Sequence, residues 1–386
     1  MRIRLRAVLS ILAVLVIALV AAACGGDSGD GGGADKTPSG GGGTSDLASA
    51  CGDRIVAQTD WYPSGNHSAL YELAGQGGEI DSKKGVYSNE IGSTGVTLEV
   101  RAGGPFIGFQ GDVSILYQNT DIMLGYVNTS EAAAFSGKQP VIGVVTPYDK
   151  NPQELMWNPE ELDIHDFADI GKSGASVLVF DAKAPWVEYM IGKGWINRDQ
   201  IDGSYDGSPT RFVAENGNLV QQGFVTDEVP YYEKVLDKWK KPVSYLLLHD
   251  SGLEDYPQVI SARADVVKEK RACLKALVPM IQQAQVDWAN DPSKTNALLV
   301  KLNEAYKAPA SNSCCLDENH AITLKEGLIS NGPDSTLGNF DMDRVQTVID
   351  TVLPIYEKQK LDSYDPNVKP DTIATNEFID PSIGVK

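Results

Sequence analysis

Asp60-Trp61-Tyr62-Pro63-Ser64-Gly65-Asn66-His67-Ser68-Ala69-Leu70-Tyr71 decides how the rest of this chain reads. Ahead of it, Arg54 to Asp60 carries the apolar run of a buried strand ending in a polar loop. Behind it, a helix is expected over about His67 to Ala74. Strand, polar loop and helix in direct succession are the unit from which parallel sheets with covered faces are built, so the fold class is α/β. Trp61 and Tyr62 offer flat faces at the loop, where ligands of open α/β sheets bind beyond the carboxyl ends of strands.

The pattern repeats downstream. Gly75 to Gly95 reads as a polar hairpin excursion. Val96 to Arg101 is a strand running into Gly103-Gly104-Pro105, and a second strand covers Ile122 to Tyr126. Asn128-Thr129-Ser130 then supplies N-cap residues for a short helix over Ala132 to Phe135. Val141 to Val145 and Ala175 to Phe180 are further strands, Pro185 opens a helix to Gly192, and Gly223 to Val225 is a short strand. A helix is expected over Asp227 to Trp239 and a strand over Val243 to Leu248. The last third is helical: Ala264 to Asn290 with a bend at Pro279, then about Thr295–Tyr306, Ala321–Leu328 and Asp341–Gln359.

The amino terminus is an address. Arg2, Arg4 and Arg6 precede an uncharged run whose apolar part, Val8 to Val20, is short for a membrane span of about 20 residues. Ala21-Ala22-Ala23 leads into Cys24, as in a bacterial lipoprotein signal, so residues 1–23 are expected to be removed and Cys24 lipidated. Residues 24–50, rich in Gly, Asp, Ser and Thr, read as a flexible tether, because such a segment buries too little surface to offset its ordering entropy.

The chain of 386 residues carries 33 Lys and Arg against 52 Asp and Glu, a net charge of −19. That excludes a broad basic surface for nucleic acid. In an exported protein, Cys51 and Cys273 are candidates for a disulfide stapling the first strand to a long helix, with the adjacent Cys314 and Cys315 as competitors. With four His and neither CxxC nor HExxH, the sequence contains no zinc pattern and no metal site is expected. It has no GxSxG, and Gly171-Lys172-Ser173 lacks the upstream glycine of a P-loop. His67 reads equally as a base or as a packed structural ring. What remains is a binding palette, with Gly104 allowing close backbone approach.

The opening motif resembles that of the NMT1/THI5-like substrate-binding proteins of ABC transporters, Asp-Trp-x-Pro-x-x-x-His-x-Gly-Leu-Tyr, with Ala69 where the family has Gly. Gly125 to Ala132 is similar to the family's helix-start site, and Asp206 to Pro209 and Gln222 to Glu228 to its second-lobe elements. The resemblance spans about Cys51 to Asp291. It implies a bilobed type II periplasmic-binding-protein fold with a two-crossover hinge near Thr146 and Leu248. Lobe one would be 51–145 plus 249–386, with an extended helical C-terminal region, and lobe two 146–248. It also implies a lipid-anchored receptor on the extracytoplasmic face of the cell membrane, delivering a small organic, pyrimidine-like solute to a permease, with no cofactor and no catalysis. The ligand-binding candidates are Asp60, Trp61, Tyr62, His67, Gly104, Asn128, Thr129 and Ser130 on lobe one, and Asp181, Asp206 and Glu228 on lobe two. The alternatives are a nitrate-, sulfonate- or taurine-type binding protein and an enzyme of the thiamine-pyrimidine synthase type.

Overall fold

A computed structural model describes residues 44–386 apart from Pro333. The signal segment, Cys24 and the tether up to residue 43 lie outside the described residues. The part of the expected tether inside them is not extended: helix α1 covers Thr44–Cys51. Leu47 and Cys51 are buried, which gives this short helix an apolar anchor that the Gly-rich run before it lacks.

Strand β1 (Arg54–Gln58) sits in the middle of a seven-stranded sheet because Ile55, Val56 and Ala57 are apolar on both faces. Helix α2 (Ser68–Ala74) follows it, then the hairpin β2 (Glu79–Asp81) and β3 (Val86–Glu90), which runs on into β4 (Thr97–Arg101). Helix α3 (Asp112–Gln118), β5 (Leu124–Val127), α4 (Thr129–Phe135) and β6 (Val141–Val145) complete the first pass. The chain then enters a second, five-stranded sheet. Its elements are β7 (Gln153–Trp157), α5 (Phe167–Ser173), β8 (Val177–Leu178), α6 (Pro185–Gly192), β9 (Ile201–Asp202), α7 (Thr210–Ala214), β10 (Val220–Phe224), α8 (Glu228–Pro230) and β11 (Ser244–Leu247). After 248–258 it returns to the first sheet as β12 (Val259–Arg263).

The strand orders are β2-β3-β4-β1-β5-β12-β6 and β11-β7-β10-β8-β9. Within the first, β1 is parallel to β4 and β5, as strand–helix alternation predicts. The sheets are nonetheless mixed. β12 is antiparallel to both β5 and β6, and β7 is antiparallel to β10 and β11, because each enters its sheet from the other one. Two expectations fail locally. Asp227 to Trp239 forms only α8 and one wide turn over Tyr231–Val235. Trp239 is drawn instead against Phe212, ring centroids 4.8 Å apart, and its indole N–H donates to the Lys241 carbonyl. Strand β7 was hidden from the sequence by its polar opening, Gln153-Glu154, although all five of its residues are buried.

The remaining chain forms α9 (Ala264–Glu269), α10 (Arg271–Asn290), α11 (Ser293–Tyr306), α12 (Leu316–Lys325), α13 (Met342–Gln359) and α14 (Pro370–Ile373). Cys51 and Cys273 form a disulfide between α1 and α10, and Cys314 pairs with Cys315. These helices are not confined to the first sheet. Trp288, Leu328 and Leu337 pack into the second sheet's core with Tyr148, Met156 and Phe212, and α13 lies against both α4 and α6. Among the described residues no helix is long and apolar enough to cross a membrane.

Candidate functional site

The end of β1 is fixed first. Gly103 N–H donates to the Trp61 carbonyl at 2.9 Å and Gly104 N–H to the Asp60 carbonyl at 3.0 Å. A Cβ on Gly103 would stand 2.2 Å from the Thr59 carbonyl oxygen, so only glycine allows the ends of β4 and β1 to meet this closely. Asp60 then becomes a hub. One carboxylate oxygen is 2.6 Å from His67 Nε2, and Gln258 donates its side-chain N–H to the same carboxylate at 3.1 and 3.4 Å. His67 is fully buried, with Nδ1 3.3 Å from the Ser64 hydroxyl and its ring edge-on to Tyr126. Both ring nitrogens are therefore occupied by protein partners, and the ring is a positioning element for Asp60. Removal from bulk water pushes the Asp60 carboxyl up, but the His67 and Gln258 bonds outweigh this and hold it below the usual carboxylate range.

Across from this hub the second sheet contributes its own acids. Asp227 accepts from Asn66 at 3.3 Å and from Asn319 at 3.0 Å, which joins loop, sheet and C-terminal helix at one carboxylate. Glu228 accepts from the Phe224 N–H at 2.7 Å. Between hub and acids lies a cavity of ≈ 350 Å³. Aromatic rings wall it: Trp61 has Phe109 at 5.9 Å and Phe180 at 6.0 Å, from opposite sheets. Phe109 and Phe180 are among the few exposed large apolar side chains of the described residues, at 68% and 44%, so the mouth of the cavity is an open aromatic rim.

A second cavity of ≈ 410 Å³ shares Gln222 and Phe224 with the first. Asn128, Ser130, Glu131 and Asp181 line it, along with Asp255. The helix-start donors are engaged internally. The Asp255 carboxylate accepts from Thr129 Oγ1 and Ser130 Oγ, both at 2.5 Å, and from the Ser130 N–H at 2.9 Å. Asn128 Oδ1 accepts from the Gln258 N–H.

No family model and no curated protein sequence matches this chain. Solved structures do. The periplasmic aliphatic sulphonate binding protein SsuA of Escherichia coli superposes with a TM-score of 0.51 at 13% identity, covering 86% of this chain and 93% of its own. The periplasmic nitrate-binding protein NrtA of Synechocystis gives 0.52 at 13% identity over 84% and 87%. The alkanesulfonate-binding SsuA of Xanthomonas axonopodis pv. citri, bound to MOPS, gives 0.51 at 10% over 84% and 99%. The fold is that of the type II periplasmic binding proteins.

In this binding-protein fold, the eleven residues singled out from sequence divide into three groups. Asp60, Trp61, His67, Gly104, Asp206 and Glu228 line the first cavity. Asn128, Ser130 and Asp181 line the second. Tyr62 and Thr129 line neither: Tyr62 packs edge-on to Trp61 and Phe106, and Thr129 is buried on Asp255. Sequence reasoning missed Asn66, Phe109, Phe180, Asp227 and Gln258. Phe109 had a usable signal, an isolated aromatic in the Gly-rich loop Gly108-Phe109-Gln110-Gly111 just after a strand.

The electrostatics of the cleft are one-sided. Neither cavity has a Lys or Arg in its lining. Burial pushes Glu228 up to about 8, with Asp227 adding to it, and pushes Asp227 up to about 6. Behind Gly223, the fully buried Glu154 has both carboxylate oxygens without a partner, and burial together with Glu228 and Asp227 pushes it well above its ordinary value. On the second cavity, burial and the charges of Asp60 and Asp255 push Glu131 up to about 7.

Proposed function

We propose that this chain is a lipid-anchored extracytoplasmic solute-binding protein of an ABC importer, and that it captures a small organic, heteroaromatic solute between its two lobes. The observation that carries the reading is the aromatic-walled cavity between the two sheets, in whose wall Trp61 from one and Phe180 from the other meet edge to face. We assign 51–145 with 249–386 to lobe one and 146–248 to lobe two, with Trp288, Leu328 and Leu337 of the carboxyl-terminal part reaching into the lobe-two core. The Cys24 lipid and the residues up to α1 would hold this body at the membrane face without inserting it.

The mechanism follows from two-state physics. A solute closes the lobes only through contacts that the closed form makes and the open form does not. A solute that touches both Trp61 and Phe180 makes such contacts, because the two rings belong to different sheets. The reading as a binding protein is supported by the solved structures of the same fold, which are named as binding proteins. The resemblance of the Asp60–Tyr71 motif to NMT1/THI5-like proteins favours a pyrimidine-like solute. The fold neighbours named for sulfonate and nitrate suggest an oxyanion instead, but the cavity offers no Lys or Arg for one.

A thermal-shift screen of the mature chain, kept lipid-free by Cys24→Ser, tests the reading with pyrimidines, sulfonates, nitrate and amines. A saturable hit that disappears in Trp61→Ala is expected. Hits that all survive Trp61→Ala would place the site elsewhere, and a purified protein that carries pyridoxal-phosphate absorbance would favour the enzyme. Metabolic labelling with palmitate, lost in Cys24→Ser, tests the anchor.

A further inference from the structure

We infer that the solute of the first cavity is an organic cation, a protonated amine, an amidinium or a cationic nitrogen heterocycle, held against Trp61 and the carboxylates of both lobes. The inference rests on the solute-binding reading above and adds the charge of the ligand.

Three independent features of the cavity lead here. First, Asp60 and Asp206 line it from opposite lobes together with Asp227 and Glu228, and no Lys or Arg is among the lining residues. An anion placed there would lose its hydration and face four acids with no counter-charge. Second, the polar amides of the lining give N–H groups to the acids, where an anion would need them. Asn66 gives its N–H to Asp227, and Gln258 gives its N–H to Asp60, which fixes the orientation of both groups. Their carbonyl oxygens, Asn66 Oδ1 and Gln258 Oε1, are buried and have no partner, on residues only 4% and 5% exposed. Third, the rim is aromatic. Trp61, Phe109 and Phe180 stand together around the entrance, with Phe109 and Phe180 each about 6 Å from Trp61, and an aromatic cluster attracts a desolvated cation. Each feature favours a positive donor, and none of the three serves an oxyanion.

The test uses three aromatic probes of the same ring size and different charge: benzamidine, benzyl alcohol and benzenesulfonate. Binding to the lipid-free mature chain is followed by tryptophan fluorescence and calorimetry. Benzamidine is expected to bind saturably, and benzenesulfonate at least roughly tenfold more weakly. Asp206→Asn, at an exposed residue whose loss leaves the core intact, is expected to weaken benzamidine several-fold while leaving benzyl alcohol unchanged. Benzenesulfonate binding as tightly as benzamidine, with both lost in Trp61→Ala, would overturn the cation and leave the solute site standing. Saturable binding by none of the three would overturn the site as well.

Discussion

Arg344 is tied to Asp149: its Nη1 lies 2.9 Å from the Asp149 carboxylate, and its Nη2 donates to the Asp149 main-chain carbonyl at 2.7 Å. The same guanidinium donates from Nε to the Glu254 carbonyl at 2.6 Å and stacks 3.7 Å above the Tyr256 ring. Asp149 belongs to the first passage between the sheets, and Glu254 and Tyr256 to the second. One side chain of α13, only 10% exposed, therefore fastens both crossovers. Both passages between the sheets are thus bound to a helix that also touches α4 and α6.

Replacing Arg344 by Ala should therefore free the lobes. Breaking a largely buried, multiply bonded pair costs about 3–5 kcal/mol, and the Tm should fall by several degrees. Small-angle scattering of the ligand-free variant should show a larger radius of gyration than the parent. An unchanged radius would mean that the clamp does not restrain the hinge. Arg344→Lys keeps the charge but not the fork, and should behave like Ala in scattering.

Glu154 predicts a pH dependence. Its folded value is raised above the ordinary 4.5, so the folded chain holds a proton that the unfolded chain gives up. The associated stability is complete below the unfolded value and is lost as pH rises toward the folded one. Glu154→Gln removes that loss. The variant should match the parent near pH 5 and exceed it at pH 9, by about 1.4 kcal/mol for each pH unit over which only the folded group is protonated. Urea unfolding at pH 5, 7 and 9 measures the difference, and parallel curves for the two proteins would refute it.

Gly103→Ala should damage the site through the backbone. The new methyl would collide with main-chain atoms of Thr59 and Asp60, which have no flexible end to yield. Overpacking of this kind costs about 1–3 kcal/mol, and it would tilt the Asp60–Trp61 turn out of register with the cavity. Solute binding should fall further than stability does, and calorimetry alongside thermal melts separates the two.

The Cys51–Cys273 bridge closes a sequence separation of 222 residues. Its removal by Cys51→Ser with Cys273→Ser should cost about 2–5 kcal/mol, chiefly by releasing the unfolded chain. Guanidinium melts of the double variant measure the loss. The cavity lies away from this bridge, so solute affinity at low temperature should be unchanged.

Much of this molecule was legible because local pattern and tertiary role agree. Ile55-Val56-Ala57 reads as a buried strand and is one, and the Pro185 helix start and the Gly75–Gly95 hairpin are set by their own residues. Trp61 was legible as a cavity wall from its place after a strand. The rest was decided at long range. Thr129 and Ser130 have the chemistry of ligand donors, and nothing near them shows that Asp255, over 120 residues later, fills that role. Phe180 and Gln258 reach the cleft only because two sheets face each other. The direction of β12 follows from which sheet the chain is returning from, and periodicity carries no trace of that.

β12 occupies the place between β5 and β6, and among the described residues β6 pairs with no other strand. During synthesis, β6 emerges more than 100 residues before the neighbour that it needs. Until residues 259–263 arrive it presents a bare apolar edge to whatever is nearby, which is the geometry that invites wrong pairings. A nascent chain stalled before residue 259 should therefore be a strong client for a holding chaperone, and one stalled beyond 263 a weak one.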